Sequence, residues 1–330
     1  MARTFVTGGT GHIGANLVRA LVARGDEVKA LVRSPGGRAL AGLDVEEVRA
    51  DLRDIDGLRR AMAGCDRVYH LAALVSLRPG ARREMFDVNV LGTKHVMAAC
   101  VAAGVARVVH CSTFGAVGRS EDGGPSDETC AVNPFDTALD YDLSKVHAEL
   151  EVHRACAAGL DAVIVNPTGV VGPWDWKPSS VGQTIVDFAR RRIPAYVSGA
   201  VDLVAMRDVV DGLRLAMERG QTGQRYILST ERITIDTLLD ELARLTGAPR
   251  PRVRLSPRSM VPVAHLSSLV MRTFFPRTPP RFTPGTIALL GDGRCATIQK
   301  AQRELGYCPT SVFAALREQY DWFRARDIIR

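Results

Sequence analysis

Short apolar runs alternate, through the first 165 residues, with segments whose apolar positions recur at helical spacing. The runs, flanked by turn residues, predict strands at Thr4–Thr7, Glu27–Val32, Val45–Arg49, Arg67–Leu71, Arg107–Cys111 and Ala162–Val165. The helical spacing predicts helices near Ala15–Ala23, Ile55–Ala63, Ala81–Ala102 and Ser144–Ala157. Strands that alternate with helices build a parallel sheet covered on both faces, joined by right-handed crossovers. The expected class is α/β, with a doubly wound parallel sheet. Beyond Asn166 the pattern breaks into shorter elements, with glycine, proline and tryptophan clustered from Asn166 to Trp176.

Directly behind the first strand, Gly8, Gly11 and Gly14 stand three apart in Thr7-Gly8-Gly9-Thr10-Gly11-His12-Ile13-Gly14. Gly8 allows a sharp turn, Gly11 lets backbone approach a pyrophosphate, and Gly14 allows close helix–sheet packing. The helix that follows offers free N–H groups and a positive dipole end to phosphate. This makes the fold Rossmann-type, with residues 1–166 as the dinucleotide-binding domain and 167–330 mainly a smaller substrate-binding domain. Parts of 200–230 are expected to return to the first. An acid after the second strand would accept a ribose 2′-hydroxyl, but Arg33 stands there, with Arg38 close behind. A guanidinium pairs with a 2′-phosphate, so NADPH is expected over NAD. Asp51-Leu52, after the third strand, either meets the adenine edge or, through Asp51, caps the helix at Ile55.

The 330 residues are 46% hydrophobic and 24% charged, the balance of a globular protein with one large core and an appendage. The net charge of +7 is mostly arginine, with no cluster interleaved with aromatics, so no nucleic-acid partner is expected. Seven scattered cysteines without a C-x-x-C, and seven histidines without ligand spacing, point to a reducing cytoplasm and to no metal site. No secretory signal precedes the first strand, and no apolar stretch reaches the ~20 residues of a membrane span. The apolar run from Val261 to Phe275 reads as a helix over a pocket.

Tyr141 and Lys145 lie four apart, hence on one helical face. An ammonium near a phenol favours the phenolate and makes proton exchange feasible near neutral pH. Ser112 and Thr113 end the fifth strand, and hydroxyls at the carboxyl end of a parallel strand lie in the ligand crevice. Thr113 is placed either to hold a substrate carbonyl oxygen or to cap its own loop.

Together with the glycine turn, His70-Leu71-Ala72-Ala73, Asn89-Val90-Leu91-Gly92-Thr93, Ser112-Thr113, Tyr141–Lys145 and Asn166-Pro167 follow the order of an extended short-chain dehydrogenase/reductase. The chain resembles the dihydroflavonol-4-reductase-like branch. Gly172-Pro173 with Asp175, Ile185-Val186-Asp187-Phe188 and Pro194-Ala195-Tyr196-Val197 are similar to its hopanoid-associated sugar epimerase group. The likeness covers residues 4 to about 247 and returns at 301–323. It implies that Tyr141 is the acid/base, that Lys145 binds the nicotinamide ribose and lowers the tyrosine pKa, and that Thr113 polarises the substrate oxygen. Gly8, Gly11, His12, Ile13 and Gly14 would line the pyrophosphate, Ala72 and Ala73 the ribose, with Asn166 among the cofactor residues and Asn89 structural or water-holding. Homodimers through a four-helix interface are common among such proteins, so the resemblance also admits a homodimer. In Met206-Arg207-Asp208-Val209 an arginine replaces an acid usual in related chains.

The leading expectation is an NADPH-dependent reductase, or the reverse dehydrogenase, acting on a ketone or aldehyde of a small molecule. Met260, His265, Leu266, Met271, Phe274, Phe275 and Phe282 read either as core or as the pocket for an apolar substrate. A nucleotide-sugar epimerase with tightly bound NAD is the alternative, with Lys177, Arg190, Arg191, Arg192 and Arg207 as diphosphate contacts. A non-catalytic dinucleotide-binding protein and a steroid- or terpenoid-type dehydrogenase stay open behind these.

Overall fold

The computed structural model describes residues 2–34, 37–76, 80–133, 139–257, 259–263 and 294–329. Strands β1 (Arg3–Thr7), β2 (Glu27–Val32), β3 (Glu46–Arg49), β4 (Arg67–His70), β5 (Arg107–Cys111) and β6 (Ala162–Pro167) form in the first half. Six more follow: β7 (Gly169–Val171), β8 (Ala195–Val197), β9 (Ala200–Ala205), β10 (Arg225–Leu228), β11 (Glu231–Thr234) and β12 (Val253–Leu255). One seven-stranded sheet runs in the order β10-β6-β5-β4-β1-β2-β3, every pairing parallel. Strand order reverses between β1 and β4, which opens a ligand crevice at their carboxyl ends. A three-stranded sheet, β11-β9-β7, and the pair β12-β8 hold the other strands among the described residues.

Named helices among the described residues are α1 (His12–Ala23), α2 (Ile55–Met62), α3 (Arg82–Phe86), α4 (Gly92–Ala103), α5 (Asp140–Ala157), α6 (Ser180–Ala189), α7 (Met206–Arg219), α8 (Ile235–Thr246) and α9 (Val312–Ala325). Side chains alternate across the sheet. Val6, Val109 and Val163 bury against α1 and α7 through Leu17, Val209 and Leu213. Phe5, Val108 and Ile164 bury against α2, α4 and α5 through Leu58, Val96 and Val152. A separate apolar cluster joins β7 and β9 to α6, α8 and α9 through Val171, Leu203, Ile185, Leu239 and Leu316. After the tryptophan-rich loop the chain returns to the large sheet, where β10 pairs with β6. Among the described residues, no helix is long and apolar enough to cross a membrane.

Two elements differ from their sequence expectations. The helix expected over 81–102 is interrupted by a π-helical turn, Asp87–Leu91, between α3 and α4. The helix expected from Ser144 starts at Asp140, because its inward face is polar and gives no apolar period. Asp142, Ser144, Lys145 and Glu149 are all buried there.

Candidate active site

The glycine turn joins β1 to α1. Gly8 adopts φ +71°, and a Cβ there would lie 2.7 Å from Ala72 N. A Cβ on Gly14 would lie 2.1 Å from Gly8 O, and Gly11 N donates to that same oxygen at 2.9 Å. The turn is thus pressed between the 71–72 segment and the first turn of α1, and side chains would fill it. Gly11 is the N-cap, and His12 and Ile13 begin the helix whose first N–H groups face the crevice. These features fit a dinucleotide pyrophosphate. The His12 imidazole turns elsewhere, with Nε2 at 2.9 Å from Gly172 O and Nδ1 at 3.8 Å from Asp175.

Beneath the crevice runs a polar row that sequence reasoning missed. Thr7, His70 and His110 occupy one register across β1, β4 and β5, on the face covered by α4 and α5. Thr93 Oγ1 donates to Asn89 O at 2.6 Å, so it must accept from His70 Nε2 at 2.9 Å. His70 Nδ1 then accepts from Thr7 Oγ1 at 2.7 Å, and that oxygen accepts from Leu71 N and Ala72 N. Burial holds the His70 imidazole down to about 3, with the Lys145 ammonium acting in the same direction. His70 is a neutral strut that, through Thr7, fixes the backbone of Leu71 and Ala72 after β4.

The π-turn aims Asn89 into this region. Its amide accepts from Leu74 N at 2.7 Å and donates to Leu74 O at 3.0 Å and to Ser144 Oγ at 2.9 Å. Ser144 Oγ in turn donates to Tyr141 O. Asn89 therefore ties the 72–74 loop to the first turn of α5.

Tyr141 and Lys145 occupy successive turns of α5. Burial pushes the Tyr141 phenol above its ordinary range, with Cys111 and Asp142 adding to it. Lys145 is fully enclosed and donates to Cys111 O at 2.7 Å, with His110 Nε2 at 3.3 Å. Burial pushes its amine down to about 8, against the opposite pull of Cys111 and Glu149. Thr113 sits at the end of β5 and caps the short turn Phe114–Ala116, accepting from Gly115 N at 3.3 Å. Capping uses only the oxygen, so its hydroxyl hydrogen remains available. The neighbouring Ser112 Oγ is buried without a partner among the described residues.

Asn166 is fully buried and spends its Nδ2 on Thr113 O at 2.9 Å and Glu149 Oε1 at 2.7 Å. Glu149 also meets Arg225, whose guanidinium donates to the carbonyls of Glu128, Ala116 and Cys130. Glu149 lies four residues beyond Lys145, a spacing that could have flagged it; Arg225, on a distant strand, carried no such signal. A cavity of about 620 Å³ opens behind this pair, and none of Tyr141, Lys145 or Thr113 lines it.

Arg33 and Arg38 are exposed at the carboxyl end of β2. Asp51 is gripped by Arg53, which donates to it through its backbone N–H and its guanidinium and holds the carboxyl down to about 2. The cap of α2 is Asp54, not Asp51, since Asp54 accepts from Gly57 N. Leu52 packs under Gly92 and its carbonyl lies 3.0 Å from His95 Nδ1. In the loop after β7, Trp174 holds φ 65°, with the Arg19 guanidinium 3.4 Å from its ring centre. Arg207 is exposed and pairs with Glu318, while Asp208 is buried and accepts from Thr230 and from Thr310. Met260 packs on Val197 and Leu255. His265, Leu266, Met271, Phe274, Phe275 and Phe282 lie outside the described residues.

Residues 4–229 match the epimerase group described as the NAD dependent epimerase/dehydratase family. A protein of Methylococcus capsulatus named sterol demethylase protein B is 49% identical over 327 residues, 99% of each chain. A Stigmatella aurantiaca ketoreductase, named for 4-hydroxy-2-methyl-3-oxo-4-farnesyl-3,4-dihydroquinoline-1-oxide, is 32% identical over 312 residues, 92% of this chain and 91% of its own. The crystal structure of gox2253 is 36% identical, superposes with a TM-score of 0.88 and is matched over 100% of both chains.

Proposed function

The chain belongs to the NAD dependent epimerase/dehydratase family, as an oxidoreductase of the extended short-chain dehydrogenase/reductase type, and from that premise we propose an NADPH-dependent carbonyl reductase. Its substrate is a ketone or aldehyde of a fairly hydrophobic small molecule. The observation that carries the reading is the Tyr141–Lys145 turn of α5, with the lysine anchored to β5 at Cys111 O and Thr113 ending that strand.

The nicotinamide, when bound, supplies the hydride that adds to the carbonyl carbon. Tyr141 gives its phenolic proton to the carbonyl oxygen, so the product is the alcohol. Its raised pKa keeps the phenol protonated at neutral pH, the state a donor needs. Thr113 accepts from Gly115 N and donates its own hydroxyl hydrogen to the same carbonyl oxygen, fixing the carbon for attack. Lys145 holds the ribose, and Gly8, Gly11 and Gly14 admit the pyrophosphate. Arg33 and Arg38 favour a 2′-phosphate. The apolar substrate is supported by the relatives' names, one for a farnesylated quinoline oxide and one for sterol demethylation.

Titration of the cofactor-stripped protein with NADPH and NADH tests this. NADPH binds more tightly, and Arg33→Asp weakens it by roughly tenfold or more, the loss of a charge-assisted pair. Tightly retained NAD⁺ with no use for NADPH overturns the reading in favour of a nucleotide-sugar epimerase.

A further inference from the structure

Lys145 has three N–H bonds to place, and the fold takes up two of them. Nζ donates to Cys111 O at 2.7 Å and lies 3.3 Å from His110 Nε2, both on β5 beneath the amine. An ammonium has no lone pair, so His110 Nε2 is the acceptor and the imidazole proton sits on Nδ1. His110 is fully buried, and that Nδ1 has no partner among the described residues. His70 supplies none, because both of its ring nitrogens are engaged by Thr7 and Thr93, with the two rings 5.1 Å apart. A buried N–H left unpaired is unfavourable, and a phenyl ring of similar volume would avoid it. What the imidazole does and a phenyl ring cannot is accept from Lys145.

We propose that His110 is the positioning residue for Lys145: with the Cys111 carbonyl it fixes two of the ammonium's N–H bonds on the sheet side and leaves the third for the cofactor ribose. This rests on the reading of Lys145 as the ribose-binding residue. The other titratable groups around the amine are the Cys111 thiol on β5, Glu149 and Tyr141 on α5, and His70 on β4. Glu149 is already held by Asn166 and Arg225, so its charge acts on the amine without binding it. Both imidazoles stay neutral, driven down by burial and by the ammonium itself. The direct hydrogen bonds to Lys145 thus come from β5 alone among the described residues.

The chain carries only five lysines, Lys29, Lys94, Lys145, Lys177 and Lys300. Labelling at Cε with ¹³C therefore makes Lys145 readable by NMR, assigned by the signal lost in Lys145→Met. Its titration midpoint near 8 falls by about one unit in His110→Phe, as a charge-assisted hydrogen bond is lost. His110→Gln keeps an acceptor at the same reach and returns the midpoint to the wild-type value. The Kd for NADP⁺ rises several-fold in the phenylalanine variant and recovers in the glutamine variant. Thermal unfolding of His110→Phe shows that the variant is folded, since the substitution removes one unpaired buried N–H on the imidazole and leaves one on the Lys145 ammonium. An unmoved Lys145 midpoint in folded His110→Phe overturns the proposal, and so does His110→Gln behaving like His110→Phe. The titration is read on the free protein, so it decides the role of His110 even where the NADPH titration sinks the reductase reading.

Discussion

Tyr141 shows how neighbours set the state of a single side chain. The sequence spacing led to the expectation that Lys145 lowers its pKa, but in the fold the lysine's bonds run to β5 and burial raises the phenol. The consequence is a protonated phenol at neutral pH, the state the proposed donor role needs. Tyr141→Phe removes that proton while leaving the ring packed on α5. Turnover of NADPH with a hydrophobic ketone is expected to fall roughly 10²–10⁴-fold, and NADPH affinity to stay within about twofold, since no cofactor hydrogen bond is assigned to the phenol. Normal turnover in the variant removes Tyr141 from the mechanism. Thr113 illustrates the opposite case: its oxygen caps the loop, as one of the two sequence readings expected, and the proposed bond to a substrate oxygen would use the hydroxyl hydrogen that capping leaves.

At the scale of elements, β10 is locked to α5 by one guanidinium. Arg225 serves three backbone carbonyls and Glu149, and Glu149 in turn orients Asn166 against the Thr113 carbonyl. Arg225→Met leaves a buried carboxylate without its counter-charge and costs about 3–5 kcal/mol in urea unfolding. Adding Glu149→Gln returns part of that loss, because the orphaned charge is gone. Strictly additive losses would mean that the two side chains do not share an interaction. The π-turn before α4 works similarly, since the extra residue in that turn lets Asn89 reach both Leu74 and Ser144.

For the whole molecule, the buried polar row makes stability depend on pH. His70 and His110 have folded pKa values below the unfolded 6.5, so their contribution is present above that pH and lost as pH falls through the window down to about 3. Asp142 acts in the opposite sense. Burial raises its carboxyl to about 6, so its contribution is present below about 4 and lost as pH rises through 6. Burial raises the Glu128 and Asp202 carboxyls in the same sense but by less, and the two fully buried histidines outweigh the three carboxyls, so net acid destabilisation follows. Denaturant unfolding is expected to show a lower free energy at about pH 5 than at about pH 7.5, with each histidine contributing up to about 1.4 kcal/mol per pH unit. Equal values at the two pH values would mean that the histidines charge freely in the native state.

The doubly wound sheet, the glycine turn and the Tyr141–Lys145 turn were legible because each is a local pattern. Apolar periodicity marks a strand, a glycine is needed where a Cβ collides within one turn, and residues four apart share a helical face. The start of α5 was not legible, because its buried face carries Asp142, Ser144, Lys145 and Glu149 in place of an apolar stripe. Nor were His70, His110 and Arg225, which become meaningful only once β1, β4, β5, β6 and β10 lie side by side in register. The sequence by itself determined which backbone shapes and which reactive groups the chain has. Tertiary structure alone decided which of those groups are buried together, and burial and proximity are what set their protonation and direction.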